Sequence, residues 1–502
     1  MSGEHGTPSA LAIEIFGIEA IPDADRTATI LDFLRLEWGS ANSLATAVLG
    51  SFPILLGLSF WQGLAATLIG LLLGALILAP MGVFGVINGT NNAVSSSAHF
   101  GVVGRIVGSF LSVLTAIAFF SISVWSSGDA LIGALVRIIG VTPSDGLFAL
   151  AYGLFAFAIL AVCIFGFRLM LLIGKAAASA VTLLLLLSIP AFAPLFDPGY
   201  AGAGLSPGKP GFWPVFVSAT LIVLSNPISF GAFLGDWSRY VPRETPLRHV
   251  MGATVIAQLL TLLPFLFGLA TASIIAMRAP DYMASANYAG GLLAISPGWF
   301  LPLLLLLALV SGMSTGTTSL YGTGLDFSSV FPRLSRVQAT LVIGSLSIML
   351  IFVGRFAFSL VESITTFVTL ILVCTTPWIV VMILGFINRR GYYRPDDLQV
   401  FNRGQTGGAY WFCGGWNLPG MGAWIASALC ALTLVNIPGQ FVGWLGDLAD
   451  GIDLSIPAAL VLPVVLYPGL LRLFPEPAEV FGPAGPRLTH SRKGEAAPSG
   501  AR

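Results

Sequence analysis

Twelve apolar runs, each long enough to cross a bilayer, leave this chain few folds to choose from. A helix needs about 20 mostly apolar residues to span the hydrocarbon layer. Within that layer every backbone amide and carbonyl must be satisfied by the helix itself or by a cavity. Read between their breakers, the runs lie at about 38–58, 63–87, 107–133, 147–167, 170–195, 212–234, 250–276, 299–322, 337–354, 359–387, 419–442 and 453–474. Only 9% of the residues are charged, against about 25% in a soluble globular chain. Such a sequence cannot cover a water-facing surface, and it predicts an all-α polytopic membrane protein.

The basic residues test that count. With twelve spans, nineteen of the 23 Lys and Arg fall on the side of the N-terminus, and only Arg137, Lys209, Arg278 and Arg355 fall on the other. Lys and Arg concentrate in cytoplasmic loops, so both termini are expected in the cytoplasm and the spans in the plasma (inner) membrane. The N-terminus lacks a basic-then-apolar leader and reads as a retained cytoplasmic tail over 1–37. A polar, basic loop over 388–418 separates ten helices from a final pair over 419–474. Residues 475–502, rich in Pro, Gly and Ala, are expected to be disordered.

Zero net charge without a basic domain excludes nucleic acid as a partner. The four cysteines, Cys163, Cys374, Cys413 and Cys430, have neither metal spacing nor a paired pattern. His99 is expected in a short cytoplasmic loop, His5, His249 and His490 are terminal or cytoplasmic, and none has a ligand at i+4. No metal and no cofactor are expected. "LGD" at 234–236 faintly resembles an aspartyl-protease motif, but a second catalytic Asp with its own motif is missing, so the chain does not read as an enzyme. Nothing in the sequence sets an oligomeric state.

Acids within or at the ends of spans are few: Asp129, Asp236, Asp326 and Glu362. Asp129 lies deepest, in "SVWSSGDALIGAL" (123–135), four residues after Trp125. On a helix that spacing puts both side chains on one face. An indole can stack on a planar ring while the carboxylate accepts N–H bonds from its edge, and an intramembrane acid is a functional candidate by default. The alternative is a cap or a pairing with Arg137 near the outer surface. Asp236, followed by Trp237, Ser238 and Arg239, reads as a gate or ion pair at the cytoplasmic end of its span.

Two further stretches interrupt apolar runs. "LIVLSNPISFGAFLGD" carries Asn226, Pro227, Ser229 and Gly231, the makings of the discontinuous helix that secondary transporters place at a substrate site; a simple proline kink is the alternative. "LVSGMSTGTTSLYGTGLDF" (309–327) offers the hydroxyls of Ser311, Ser314, Thr315, Thr318 and Ser319. These suit a small hard cation or a substrate, and small residues also serve helix packing alone. The first span shares this character through Ser40, Asn42, Thr46, Gly50 and Pro53.

Taken in order, six stretches resemble the purine–cytosine permease branch of the nucleobase:cation symporter-1 family: "GIEAIPDADRT" (17–27), "WGSANSLATAVLG" with "GLSFW" (38–61), "SVWSSGDALIGAL", "LGDWSRYVP", "SLYGTGLDF" and "YWFCGGWN". The resemblance runs from near residue 17 to near 470. It implies the leucine-transporter fold, with inverted five-helix repeats over 38–196 and 212–387 plus two added helices. It implies a secondary transporter importing a heterocycle with H⁺ or Na⁺. In the family a ring stacks on the third-helix Trp, here Trp125, and bonds the polar residue one turn on, here Asp129. A second aromatic comes from the sixth helix, here Phe230. Ser40, Asn42, Thr315 and Ser319 complete the implied substrate site, and Ser314 and Thr315 the implied Na⁺ site, with Asp129 as a proton-coupling candidate. Three departures surround the ring site. Asp129 replaces an amide, Phe230 a Trp, and Thr315 and Ser319 stand for asparagines. A carboxylate only accepts hydrogen bonds, which points away from plain cytosine and toward a substrate with more donors or a positive charge, of the thiamine or aminopyrimidine type.

Overall fold

The computed structural model describes residues 17–490 apart from 332, 358–359 and 438–440, and excludes the side chains of 355–365, 367 and 368. Arg355 and Glu362 therefore lie outside the described side chains, as does the end of the C-terminal tail. Among the described residues ten helices are long and apolar enough to cross a membrane, and the shorter Leu44–Leu55 and Leu418–Thr433 complete twelve spans.

A helix leads into the first span from Ile30, ahead of the apolar run that marks it in the sequence. Thr29 caps a helix over Ile30–Ala41: its hydroxyl accepts the Asp32 amide and the Asp32 carboxylate accepts the Thr29 amide, both at 3.1 Å. Such a reciprocal cap satisfies two orphan donors of the first turn, and Phe33 and Leu36 bury the helix face. The helix stops at Asn42, and Leu44–Leu55 continues the span. The sixth span is broken in the same manner: Phe212–Ser229 carries Pro227, a tight turn covers Phe230–Ala232, and Leu234–Ser238 follows. The seventh, Leu247–Leu260 and Leu262–Arg278, is jogged at Thr261.

The third span runs over Ile106–Ile139 and the eighth over Leu301–Val330, and they pack side by side through the centre of the bundle. Small residues permit close approach. An added Cβ on Gly39 would sit 2.3 Å from the Gly174 carbonyl oxygen on the fifth span, Phe167–Phe192. Two short helices, Pro280–Ala284 and Tyr288–Ile295, join the seventh and eighth spans; they are too short to register as spans in the sequence.

At the end of the bundle that holds Gly17 and the segment after Glu476, charged residues are buried in fixed contacts. Arg239 donates to the Gly17 carbonyl (2.6 Å) and the Tyr321 hydroxyl (3.1 Å). Arg105 donates to the Ser329 carbonyl and Asn402. Asp326 accepts from Asn91 (2.9 Å) and Ser112. Asp236 is also buried there, beside the eighth span. The stretch over 475–490, expected to be disordered, is folded onto this end. Glu476 is buried and paired with Arg389 at 2.8 Å, its other oxygen accepts from Asn417 (2.7 Å), and Val480 and Phe481 are buried. Burying Arg389 requires a counter-charge, and a composition-based reading cannot see that a Pro-rich tail supplies it. His99, in the connection between spans two and three, bonds Arg389 through Nδ1 (2.6 Å) and Tyr393 through Nε2 (2.9 Å). Burial and the adjacent guanidinium hold its pKa well below the usual histidine range.

Candidate functional site

Where the first helix stops, Asn42 (φ −80°, ψ 80°) and Ser43 (φ −144°, ψ 162°) leave helical geometry and free backbone groups inside the bundle. Side chains take up those groups. Thr315 donates to the Ser40 carbonyl (2.6 Å), Thr46 to the Ala41 carbonyl (2.5 Å), and the Leu44 amide to Ser311 (3.2 Å). Asn42 donates through Nδ2 to Thr182 (2.9 Å), and Ser40 to the Glu37 carbonyl (2.9 Å). The structure therefore brings Ser40, Asn42 and Thr315 together at one break. Ser314 lies beside them in sequence, fully buried, its hydroxyl without a protein partner. Hydroxyl and carbonyl oxygens are hard ligands suited to a small cation. Ser319, also buried, follows one turn on, its carbonyl accepting from Thr323 (2.9 Å).

The break in the sixth span is aromatic. Phe230 meets Phe233 (centroids 5.4 Å apart), Trp237 (5.7 Å) and, from the third span, Phe119 (6.3 Å, planes at 37°). Asn92 holds the break open by donating to the Gly231 carbonyl at 2.8 Å.

Trp125 and Phe230 do not meet. The Trp125 indole is buried against the ninth span, Arg336–Ala357, donating to the Ile351 carbonyl (3.2 Å) and abutting Gly354. Six residues separate Phe119 from Trp125, a rotation of about 120° on a helix, so the two rings serve different neighbours. Asp129 accepts the Tyr152 hydroxyl of the fourth span. With Ser126 it lines a recess bounded by Val48, Ser51 and Phe52 of the first span and by Asn287 and Tyr288. The alternative pairing with Arg137 is not made: that side chain donates to the carbonyls of Leu293 and Ser296.

Buried side-chain oxygens without a protein partner include Asn42 Oδ1 of span one, Ser123 Oγ of span three, Asn226 Oδ1 of span six and Ser314 Oγ of span eight. Buried polar atoms are ordinarily bonded, so each of these is an unusual feature of its span. Ser123 escaped sequence reasoning although it opens the stretch that holds Trp125 and Asp129. Phe119 and Tyr152 gave no signal, because an aromatic in an apolar run carries none. Among the described residues no group of His, Cys, Asp or Glu could hold a metal ion.

Interrupted first and sixth helices around central third and eighth spans define a secondary-transporter scaffold. The comparisons agree. A family profile described as permease for cytosine/purines, uracil, thiamine and allantoin matches residues 20–455. The putative purine-cytosine permease YxlA of Bacillus subtilis (strain 168) is 23% identical over 476 residues, covering 92% of this chain and 96% of that one. Two structures of Mhp1 superpose over nearly the whole chain. The closed form of that nucleobase-cation-symport-1 transporter, with bromovinylhydantoin bound, gives a TM-score of 0.70 at 17% identity and covers 95% of this chain and 98% of its own. The inward-facing form gives 0.66 at 18%, covering 94% and 97%. A Na⁺-coupled sialic acid symporter gives 0.56 at 13%, covering 88% and 91%. The chain belongs to the nucleobase:cation symporter-1 family and has the leucine-transporter fold. It is a multi-pass membrane transporter of nucleobase-like substrates and not an enzyme.

Proposed function

We propose that this permease imports a nucleobase or a related nitrogen heterocycle by symport with H⁺ or Na⁺, alternating access between the two sides of the plasma (inner) membrane, with both termini cytoplasmic. The observation that carries the reading is the division of labour between the two breaks: rings gather at Phe230, oxygens at Ser40, Asn42, Ser314 and Thr315. A flat heterocycle is held by aromatic faces, and a small cation by hard oxygens. Asp129 favours a substrate edge rich in N–H donors, or a cationic or vitamin-like ring of the thiamine or aminopyrimidine type, because an ionised carboxylate offers only acceptors.

The test is uptake by proteoliposomes of radiolabelled purines, pyrimidines, hydantoins and vitamins under imposed ion gradients. Accumulation that follows a cation gradient and is blocked by ring-shaped competitors is expected. No gradient-dependent uptake of any panel member sinks the proposal, and uptake indifferent to gradient direction would favour a channel. Asp129→Asn is expected to abolish uptake or switch substrate choice with expression retained; unchanged kinetics would remove Asp129 from the site.

A further inference from the structure

The inner half of the first span hides a second carboxylate. Glu37 is fully buried on Ile30–Ala41, five residues before the Asn42 break, and faces Gln258, fully buried two residues before the helix of span seven ends. One hydrogen bond joins them: Gln258 Nε2 donates to Glu37 Oε1 at 2.9 Å. The other two oxygens of the pair, Glu37 Oε2 and Gln258 Oε1, are buried and have no protein partner.

The charged groups on the elements packed against this helix are engaged or distant. Lys175 of the fifth span pairs with Asp32, five residues below Glu37, at 2.6 Å, and Arg168 of the same span is exposed at its start, seven residues before Lys175. Asp326 of the eighth span takes Asn91 and Ser112, while Arg239, after the sixth, takes Gly17 and Tyr321. Asp236 sits against the eighth span near Gly322. Arg248 and His249 lie about nine residues before Gln258, ~14 Å along the axis at 1.5 Å per residue, and Arg35 is exposed on the helix itself. Among the described residues no cation pairs with Glu37.

An ionised carboxylate in such a place has lost its water without gaining a counter-charge, a costly arrangement. Moreover Glu37 Oε2 and Gln258 Oε1 can both only accept, and the other polar side chain beside the carboxyl is the buried hydroxyl of Thr254, one turn before Gln258. A proton on Oε2 resolves both problems. The acid then has a proton to donate to a neighbouring buried acceptor, Gln258 Oε1 or the Thr254 hydroxyl, while Nε2 continues to donate to Oε1. We propose that the Glu37–Gln258 pair is a proton-binding site, and that the proton it takes up and releases drives the transport cycle. Protonation clasps the first span to the seventh; its loss leaves a bare carboxylate and loosens that clasp. The signal reaches the break within three residues, because the Glu37 carbonyl accepts from Ser40 and the Ser40 carbonyl from Thr315. The site deepens the symport reading above and rests on it.

The proton itself is the first probe. Infrared difference spectra of the purified full-length protein between alkaline and acidic pH should show a carboxylic-acid C=O band that vanishes in Glu37→Gln and shifts in Gln258→Met, which leaves the acid in place. In proteoliposomes Glu37→Gln should still exchange the panel substrate across the membrane but lose accumulation driven by a proton gradient. A band unchanged in Glu37→Gln, a band lost in Asp129→Asn instead, or proton-driven accumulation retained by Glu37→Gln each overturns the proposal. If the wild type transports no panel compound, the transport reading fails, and the infrared band still decides whether Glu37 binds a proton.

Discussion

The two interrupted helices occupy equivalent places in the two halves of the fold, yet they are built from opposite materials. At the first, hydroxyls of spans five and eight hold the opening: Thr315 donates to the Ser40 carbonyl, Ser311 accepts from the Leu44 amide and Thr182 accepts from the Asn42 side-chain amide. At the sixth, the opening is walled by Phe230, Phe233, Trp237 and Phe119, with Asn92 supplying the side-chain bond to the Gly231 carbonyl. One break offers oxygen lone pairs and the other π-faces. The proposed symport would seat its two ligands, a small cation and a flat ring, at separate breaks of this frame.

The contrast is broken most severely at Thr315. Thr315→Val leaves the buried Ser40 carbonyl unpaired, at about 1–3 kcal/mol. That corresponds to ~10–100-fold weaker cation-dependent binding, read by cation titration of thermal stability, with Thr315→Ser restoring it. Packing at the two breaks should also differ. Gly39→Ala drives a methyl into the Gly174 carbonyl, whereas at Gly231 the obstacle at 2.3 Å is Cδ1 of Ile379, the free end of a side chain. Overpacking that cannot relax costs about 1–3 kcal/mol. Gly39→Ala should therefore lower Tm distinctly more than Gly231→Ala; equal losses would refute the difference in rigidity. Phe230→Ala should weaken heterocycle binding ~10-fold, in line with about 1.4 kcal/mol for a lost stacking partner, and leave the cation titration unmoved, while Phe230→Trp should bind as well as the parent.

His99 lies outside both breaks and gives the smallest effect. Held neutral when folded, with a pKa well below its unfolded 6.5, it adds no acid-dependent loss above that pH. Below 6.5 the unfolded chain takes a proton that the folded one refuses, and stability drops by roughly 1 kcal/mol over the first pH unit. Calorimetric scans of wild type and His99→Gln should diverge on acidification, with ligand binding at either break the same in both.

The spans and their number were legible because length and hydropathy suffice to mark a buried helix, and the charge bias checked the count. The sixth-span break was legible through Asn226, Pro227, Ser229 and Gly231, which interrupt the apolar run, whereas the run over 38–58 read as one helix and gave no residue signal of the break at Asn42. Side-chain partners were not. The i,i+4 rule correctly put Trp125 and Asp129 on one face, but it could not reveal that this face addresses Ile351 and Tyr152 while Phe119 meets Phe230. Which neighbour a helix face meets is decided by packing between distant segments, and no local pattern encodes it. The helix that leads into the first span was recoverable from Thr29-x-x-Asp32, a capping signature overshadowed by the apolar run that follows.

The pairing of Arg389 with Glu476 bears on whether the fold can be divided. Viewed as a parts list, ten helices carry both breaks, and the last two with their trailing segment look dispensable. Yet Arg389 ends the tenth span fully buried, and its counter-charge arrives only after the twelfth. A protein ended at residue 418 would hold an uncompensated cation in its interior, a fault that costs about 3–5 kcal/mol when a buried partner is removed. The appended pair thus ties itself to the ten-helix core through a charge that the core cannot bury without Glu476.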